Sequence, residues 1–249
     1  SATPTPASHL FKNQKILVSG MIAHYRRFTT GFMQNNEITY GKVGIIGDEK
    51  GSGKTVSIIA YLQHIIQHPQ TRTSVLGTNS NRFLHSHSIP EIADTNKCNI
   101  IIVPPYMYEH WKFHLTKYMP PSIRILYIEN KYALNRVSHN TVKDCTDVVL
   151  TTGKCYKQML SFEQTATIHW NQMFVDNAYH ISIPGYKLRY AQCNFIWLIT
   201  DTWYPYVMYH SDININNLMY LSQHTTQVIH PELRHWLQDK KDAILHHTL

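Results

Sequence analysis

Cysteine, charged residues and long apolar runs are all scarce in this 249-residue chain, and each shortage excludes a class of protein. The four cysteines stand far apart without a C-x-x-C pair, which argues against a disulfide framework or a zinc site and favours reduced thiols. No apolar run approaches the roughly 20 residues that a membrane-spanning helix needs. The first residues lack the basic cluster and apolar stretch of a signal peptide. We therefore expect an intracellular protein of the cytoplasm, nucleus or virion, with no membrane partner.

The composition that is present describes a folded, basic domain. Hydrophobic residues make up 43% of the chain and charged residues 16%. This composition is typical of a globular protein with a buried core and excludes a disordered chain. The net charge of +7 favours an acidic partner such as nucleic acid, although many domains are mildly basic without one.

Seventeen histidines suggest a metal site at first sight. Two pairs have the i, i+4 spacing of a helix, His64/His68 and His110/His114. Zinc needs three or four ligands, and the spacing indicates no third partner for either pair. We therefore expect no histidine metal site and attribute the excess of His, Asn, Ile and Tyr to coding bias.

Apolar runs rich in β-branched residues alternate with segments of helical periodicity. A polar stretch over Arg72–Lys97 is predicted to be a surface insertion. Short strands buried on both faces and separated by helices predict an α/β fold, with a mostly parallel sheet and helices on both faces. The predicted helices are Val56–Ile66 and Tyr108–Tyr118, and the predicted strands are Lys42–Ile46, Asn99–Val103, Ile123–Ile128, Asp147–Thr151, Gln172–Val175 and Phe195–Ile199.

A glycine-rich segment between the first strand and the following helix has the pattern of a phosphate-binding loop. Its glycines let backbone N–H groups curl around phosphate oxygens, and the helix N-terminus adds a favourable dipole. Lys54 is predicted to neutralise the β and γ phosphates of a nucleoside triphosphate, and the Thr55 hydroxyl to hold Mg²⁺. The predicted nucleotide-binding residues of this loop are Asp48, Glu49, Lys50, Gly51, Ser52, Gly53, Lys54 and Thr55.

The loop sequence D-E-x-G-x-G-K-T at Asp48–Thr55 resembles motif I of the Swi/Snf-type DNA-dependent ATPases of helicase superfamily two. The resemblance extends over roughly residues 10–203, with further segments in the family's order. These are a glutamine motif at Leu10–Gln14, motif Ia at Ile101–Trp111, motif Ib at Asp147–Thr152, the approach to motif II at Trp170–Asp176, and motif III at Thr200–Thr202.

The resemblance implies the first of two RecA-like lobes, a three-layer α/β sandwich that binds ATP and Mg²⁺. It implies that Gln14 contacts adenine and that Asp176 lies near Mg²⁺. The second lobe, with its arginine finger, has no counterpart in these 249 residues, so a fragment or a one-lobed relative is expected. We predict a disordered leader over residues 1–9, the lobe over 10–205, and a helical extension over 206–249. An AT-rich genome, such as that of a large DNA virus, would suit the composition.

The resemblance breaks at motif II, where the family's D-E-x-H is Asp176-Asn177-Ala178-Tyr179. Asn177 replaces the glutamate that deprotonates the attacking water, and an amide cannot accept that proton near neutral pH. His180 is an alternative base, shifted along the chain. In motif III, Asp201 stands where the family has glycine. We therefore predict bound nucleotide with impaired hydrolysis, through the catalytic positions Lys54, Asp176 and Asn177.

Nucleic acid is the partner that the resemblance implies. Motifs Ia and Ib contact the phosphates of one strand in such lobes, which positions the strand without reading its sequence. The candidates are Lys112, Lys117, Thr151, Thr152 and Lys154.

Two competing functions remain open at the level of sequence. The chain could be a non-catalytic scaffold or regulatory subunit that keeps the fold, which leaves its status as an ATP-hydrolysing enzyme undecided. A small nucleotide kinase is a weaker alternative, because the motif Ia match and the lack of an arginine-rich lid argue against it.

Overall fold

The computed structural model describes residues 10–30, 32–34, 37–41, 43–69, 84–86, 97–137, 142, 146–161, 168–177 and 193–201. The predicted leader, most of the predicted insertion and the predicted helical extension lie outside these residues, as do Tyr179 and His180. None of the helices within them is long and apolar enough to cross a membrane.

Helices and strands alternate along most of the described chain. The helices are α1 (Lys12–Thr30), α2 (Lys54–Gln67), α3 (Tyr108–Tyr118), α4 (Lys131–Leu134) and α5 (Gly153–Ser161), with a 3-10 turn at Pro105–Met107. The strands are β1 (Phe32–Gln34), β2 (Glu37–Gly41), β3 (Val43–Ile46), β4 (Leu84–Ser86), β5 (Asn99–Val103), β6 (Ile125–Ile128), β7 (Val148–Thr152), β8 (Trp170–Asp176) and β9 (Cys193–Ile199).

Six strands form one sheet in the order β3-β9-β8-β5-β7-β6, and every neighbouring pair is parallel. Strands β5, β7 and β9 are buried at every position, as expected for strands covered on both faces. Their carboxyl ends lie at one edge of the sheet, which we call the carboxyl edge. In open parallel sheets ligands bind at this edge.

Helices cover both faces of the sheet and create two hydrophobic cores. Helices α1, α2 and α3 enclose the larger core, in which Trp111 and Trp197 are completely buried. Helices α4 and α5 enclose the smaller core on the other face, around Tyr156 and Ile100. The α/β prediction with helices on both faces is therefore confirmed.

A second, small sheet contacts helix α1. Strands β1, β2 and β4 pair antiparallel in the order β1-β2-β4. The sequence does not indicate this sheet, because its strands are short and β4 lies within the polar stretch over Arg72–Lys97.

The predicted boundaries agree closely in some elements and need correction in others. The predicted bounds of β5 and α3 match the structure. The third predicted strand is shorter than expected, since Ile123 and Arg124 precede β6. Helices α1, α4 and α5 were not predicted.

Candidate nucleotide-binding site

The predicted phosphate loop connects β3 to α2 at the carboxyl edge. Gly51 and Gly53 have φ angles of 89° and 85°, a left-handed conformation that disfavours residues with a Cβ. The Ser52 amide donates to the Glu49 carbonyl at 3.3 Å and so closes the turn. Gly53 immediately precedes the first residue of α2, so the loop ends at a helix N-terminus, where backbone N–H groups favour an anion.

The Lys54 ammonium folds back onto this loop. Its Nζ donates to the carbonyl oxygens of Asp48 at 2.5 Å and Glu49 at 2.8 Å. Burial lowers the pKa of Lys54, and the surrounding carboxylates oppose this shift, led by Asp48 and then Asp201. Phosphate oxygens would offer the ammonium stronger, charge-assisted acceptors than these carbonyls.

Ser52 provides an observation that fits a bound phosphate. Its hydroxyl oxygen is buried without a hydrogen-bond partner among the described residues. A buried polar group without a partner is costly, so such an atom commonly marks a site for a water, an ion or a ligand. The left-handed glycines and the nearby Lys54 ammonium agree with a phosphate at this position.

Helix α1 closes one side of the loop through Gln14. The Gln14 side chain is buried and its Oε1 accepts from the Phe11 amide at 2.9 Å. Its Nε2 lies so close to Gly53 that a Cβ built there would be 2.1 Å away. A cavity of about 210 Å³ opens here between α1 and the loop. It is lined by Asn13, Gln14, Leu17, Asp48, Glu49, Lys50, Gly51 and Ser52.

Asp176 ends β8 and is 9% exposed. Its Oδ2 accepts from the Trp111 indole at 2.6 Å, and its Oδ1 accepts from the Asn177 amide at 2.8 Å. Burial raises the pKa of Asp176, while these two hydrogen bonds and the Lys54 charge oppose that rise. A carboxylate has about four acceptor positions, so this one keeps capacity for a water or a metal ion.

Thr55 and Asp176 supply oxygen donors of the kind that Mg²⁺ prefers. Thr55 is the second residue of α2 and is half-buried. Within the described parts of the chain, no group of three or more His, Cys, Asp or Glu residues can hold a metal. Magnesium at this site would therefore take its remaining ligands from phosphates and water, as it usually does in nucleotide-binding proteins.

Asn177 occupies a left-handed conformation with φ 51°. Its Nδ2 donates to the hydroxyl of Tyr106, which lies in the 3-10 turn after β5. Strand β5 flanks β8 on the side away from β9 and β3. The Asn177 amide is thus held on the opposite side of β8 from the phosphate loop.

Three residues at the site were not assigned a role there from sequence. Trp111, the last residue of motif Ia, donates to Asp176 across 65 positions of sequence. Tyr106 holds Asn177, and the charge of Asp201 acts on Lys54. The motif III position of Asp201 was the one signal that could have indicated this placement.

The candidate nucleic-acid residues do not form one surface. Thr151 is completely buried and its hydroxyl donates to the Ile128 carbonyl, while the Thr152 hydroxyl accepts from the Cys155 amide. Neither hydroxyl is therefore directed to a ligand in this conformation, and a nucleic-acid role for either threonine stays a prediction.

The three lysines differ in position. Lys154 is exposed near the start of α5, at the carboxyl edge. Lys112 pairs with Glu109 at 3.4 Å in the second turn of α3. Lys117 lies near the other end of α3, with its Nζ 5.1 Å from the centre of the Tyr118 ring.

Comparisons with known proteins agree with this geometry. Residues 16–195 match the family model of the SNF2-related domain. The mouse DNA excision repair protein ERCC-6-like 2 is 23% identical over 167 residues, which cover 67% of this chain and 10% of that protein. The chain therefore spans about a tenth of the length of this curated relative.

A solved structure shows the same fold. It is described as the Sulfolobus solfataricus SWI2/SNF2 ATPase core in complex with dsDNA, and it superposes with a TM-score of 0.55 at 16% identity. The match covers 89% of this chain and 37% of that one. The RecA-like three-layer fold is thereby confirmed, and because the family model matches most of the chain, this protein belongs to the SNF2-related domain family.

Proposed function

We propose that this chain is an ATP-binding lobe of a Swi/Snf-type motor that acts on DNA, with hydrolysis impaired by Asn177. The observation that carries the proposal is the phosphate loop. Its left-handed glycines, the Lys54 ammonium and the Ser52 hydroxyl, which has no partner within the described part of the chain, converge at the N-terminus of α2. Family membership supports the same assignment.

Different residues of the lobe bind the phosphates, the adenine ring and the magnesium ion. Lys54 exchanges its two carbonyl partners for phosphate oxygens, and the loop amides donate to the same phosphates. Gln14 contacts the adenine ring from α1. Thr55 and Asp176 hold Mg²⁺, which neutralises charge on the phosphates when it is bound.

Hydrolysis is impaired because the position of the general base holds an amide. Asn177 cannot accept a proton near neutral pH, and the loss of a general base commonly costs ~10²–10⁴-fold in rate. The hydrogen bond to Tyr106 supports this interpretation, since it holds the Asn177 side chain away from the phosphate loop.

DNA is the proposed partner of the carboxyl edge. The net charge of +7 favours a polyanion, and Lys112 and Lys154 are the cations best placed to contact its phosphates. A second RecA-like lobe, on the same protein or a partner, would supply the rest of the motor. We also propose a large DNA virus as the source, because an AT-rich genome would suit the composition.

The second candidate is a non-catalytic scaffold or regulatory subunit that keeps the fold. Two observations favour it: Asn177 is engaged by Tyr106, and Asp201 places a negative charge near the phosphate site. This candidate predicts nucleotide binding without turnover, or no binding at all.

The test is ATP binding and turnover measured side by side on the 249-residue chain, with Mg²⁺ and with or without duplex DNA. We expect micromolar-range binding that Lys54→Ala abolishes, because the ammonium is the main cation at the loop. We expect slow turnover in the parent and a rise of about tenfold or more in Asn177→Glu.

Lys97→Ala is the matched control, because Lys97 is exposed and precedes β5 at the edge opposite the phosphate loop. It should bind and hydrolyse ATP like the parent. Absence of ATP binding in a folded parent would refute the nucleotide-binding lobe. Binding without turnover, unchanged by DNA, would instead favour the scaffold.

A further inference from the structure

Asp201 lies at the carboxyl edge between the two strands that carry the nucleotide site. Strand β9 is hydrogen-bonded to β3 on one side and to β8 on the other. Ile199, its last residue, is in register with both Ile46 and Asp176, and the Thr200 amide donates to the Ile46 carbonyl at 2.9 Å. The next residue is Asp201, which is exposed. The backbone therefore delivers this carboxylate between the start of the phosphate loop and Asp176.

Electrostatics agree with this placement. Four carboxylates act on the Lys54 ammonium, and the effect of Asp201 exceeds that of Asp176 and is second to that of Asp48. Lys54 is the residue that meets the β and γ phosphates in a phosphate loop. A carboxylate near this ammonium is therefore also near the predicted position of the terminal phosphate.

The other three carboxylates are less suited to meet a water at that position. Asp48 is 4% exposed, so solvent barely reaches it. Asp176 already accepts two hydrogen bonds and is assigned to Mg²⁺. Glu49 has the smallest effect on Lys54 of the four.

Asn177 is held on the wrong side of β8 for this task. Its amide is bound by Tyr106 on the β5 side, whereas β9 and the phosphate loop lie on the other side. The carboxylate that motif II lacks is thus present just after the neighbouring strand β9, at the motif III position.

We infer that Asp201 accepts the proton of the attacking water in the residual ATP hydrolysis of this lobe. The water oxygen forms a bond to the γ phosphorus, and the bond from that phosphorus to the β–γ bridging oxygen breaks. The bond electrons leave with ADP, and the water proton passes to the Asp201 carboxylate and then to solvent. This inference rests on the proposed binding of ATP at the phosphate loop.

The experiment compares the parent with Asp201→Asn and Asp201→Gly, by phosphate release and by calorimetric ATP affinity in the presence of Mg²⁺. Both variants should lose turnover by ~10²-fold or more, to the level of Lys54→Ala. Both should bind ATP as tightly as the parent or roughly threefold more tightly, because a negative charge near the phosphates is gone.

Glu129→Gln is the matched control. Glu129 is an exposed carboxylate that follows β6 at the same edge, four strands from β9 or about 19 Å away. It should leave turnover and affinity unchanged.

The outcomes separate the inference from the function on which it rests. Unchanged turnover in Asp201→Asn with normal ATP affinity would overturn the role of Asp201 and leave the binding lobe intact. A parent that binds ATP but has no turnover above Lys54→Ala would overturn it as well. A parent that binds no ATP would remove both the inference and the proposed function.

Discussion

The Trp111 indole donates a hydrogen bond to Asp176 and so stabilises the ionised form of this nearly buried carboxylate. Asp176 is nearly buried, and burial raises its pKa above the usual value of 3.8. A carboxyl with a raised folded-state pKa is most favourable to stability below pH 3.8, and that contribution is lost as the pH rises through the folded-state pKa. Trp111 reduces this loss because it donates to the ionised form.

Trp111→Phe should therefore destabilise the protein more at neutral pH than in acid. The variant keeps an aromatic ring but loses the donor, and a hydrogen bond to a charged group contributes about 1.5–3 kcal/mol. The stability gap between parent and variant should widen as the pH rises from about 4 to 7, because the variant has the higher Asp176 pKa. Urea unfolding at several pH values measures this gap.

Trp170→Phe serves as the control for lost volume. Trp170 is also buried, but it begins β8, whereas Asp176 ends that strand, and it packs in the smaller core. Its substitution should cost similar free energy at every pH. An equal gap at pH 4 and pH 7 in Trp111→Phe would contradict the role given to the indole.

At the scale of elements, the phosphate loop depends on helix α1 as well as on its own glycines. Gly51 and Gly53 share a left-handed backbone, yet their surroundings differ. Among the residues that the structure describes, no heavy atom lies within 4 Å of a Cβ built at Gly51, whereas a Cβ at Gly53 meets the Gln14 amide. Gly53 is thus the point where the loop and the predicted adenine contact meet.

Gly51→Ala and Gly53→Ala form a matched pair for this contact. Both should cost about 1–2 kcal/mol for left-handed alanine. Gly53→Ala should cost a further ~1–3 kcal/mol, because Gln14 must move to admit the methyl group. Urea unfolding measures the stabilities, and competition between ATP and GTP measures the base preference.

The base preference distinguishes a role of Gln14 in adenine contact from simple packing. Gly53→Ala should reduce the preference for ATP over GTP, and Gly51→Ala should retain it. Equal preferences in the two variants would remove Gln14 from adenine recognition.

At the scale of the whole molecule, the sheet order decides which cations lie together. Helices α3 and α5 pack on opposite faces, but both begin at the carboxyl edge, after the neighbouring strands β5 and β7. Lys112 and Lys154 are therefore close to one edge. Lys117 is nine residues beyond the start of α3, which places it about 13 Å along the helix from that edge.

Lys112→Ala and Lys154→Ala should each weaken binding to duplex DNA without changing its sequence preference. A lost phosphate contact should lower the slope of log affinity against log salt by about 1. Lys117→Ala should have a smaller effect. Fluorescence anisotropy over a series of salt concentrations measures the slopes.

Lys97→Ala again provides the control, because Lys97 lies at the opposite edge of the sheet. Its slope should equal that of the parent. Equal slopes for Lys97→Ala and Lys154→Ala would show that DNA does not contact the carboxyl edge.

The bounds of some helices and strands could be predicted from sequence because they depend on residues that are neighbours along the chain. Helix α3 and strand β5 have the predicted bounds, since apolar periodicity and the prolines between them act within a few positions. Helix α1 was not predicted because polar residues interrupt its apolar face. The residues of that face are identified only by their packing on α2 and the sheet.

By itself, the sequence determined the α/β class and the replacement of the motif II glutamate by Asn177, and it predicted the phosphate loop, because each is a short pattern with its own chemical meaning. Only the tertiary structure decided that Trp111 holds Asp176, that Tyr106 holds Asn177, and that Asp201 acts on Lys54. The partners in the first two contacts are 65 and 71 positions apart. They meet because the strands pair out of sequence order, which no local pattern encodes.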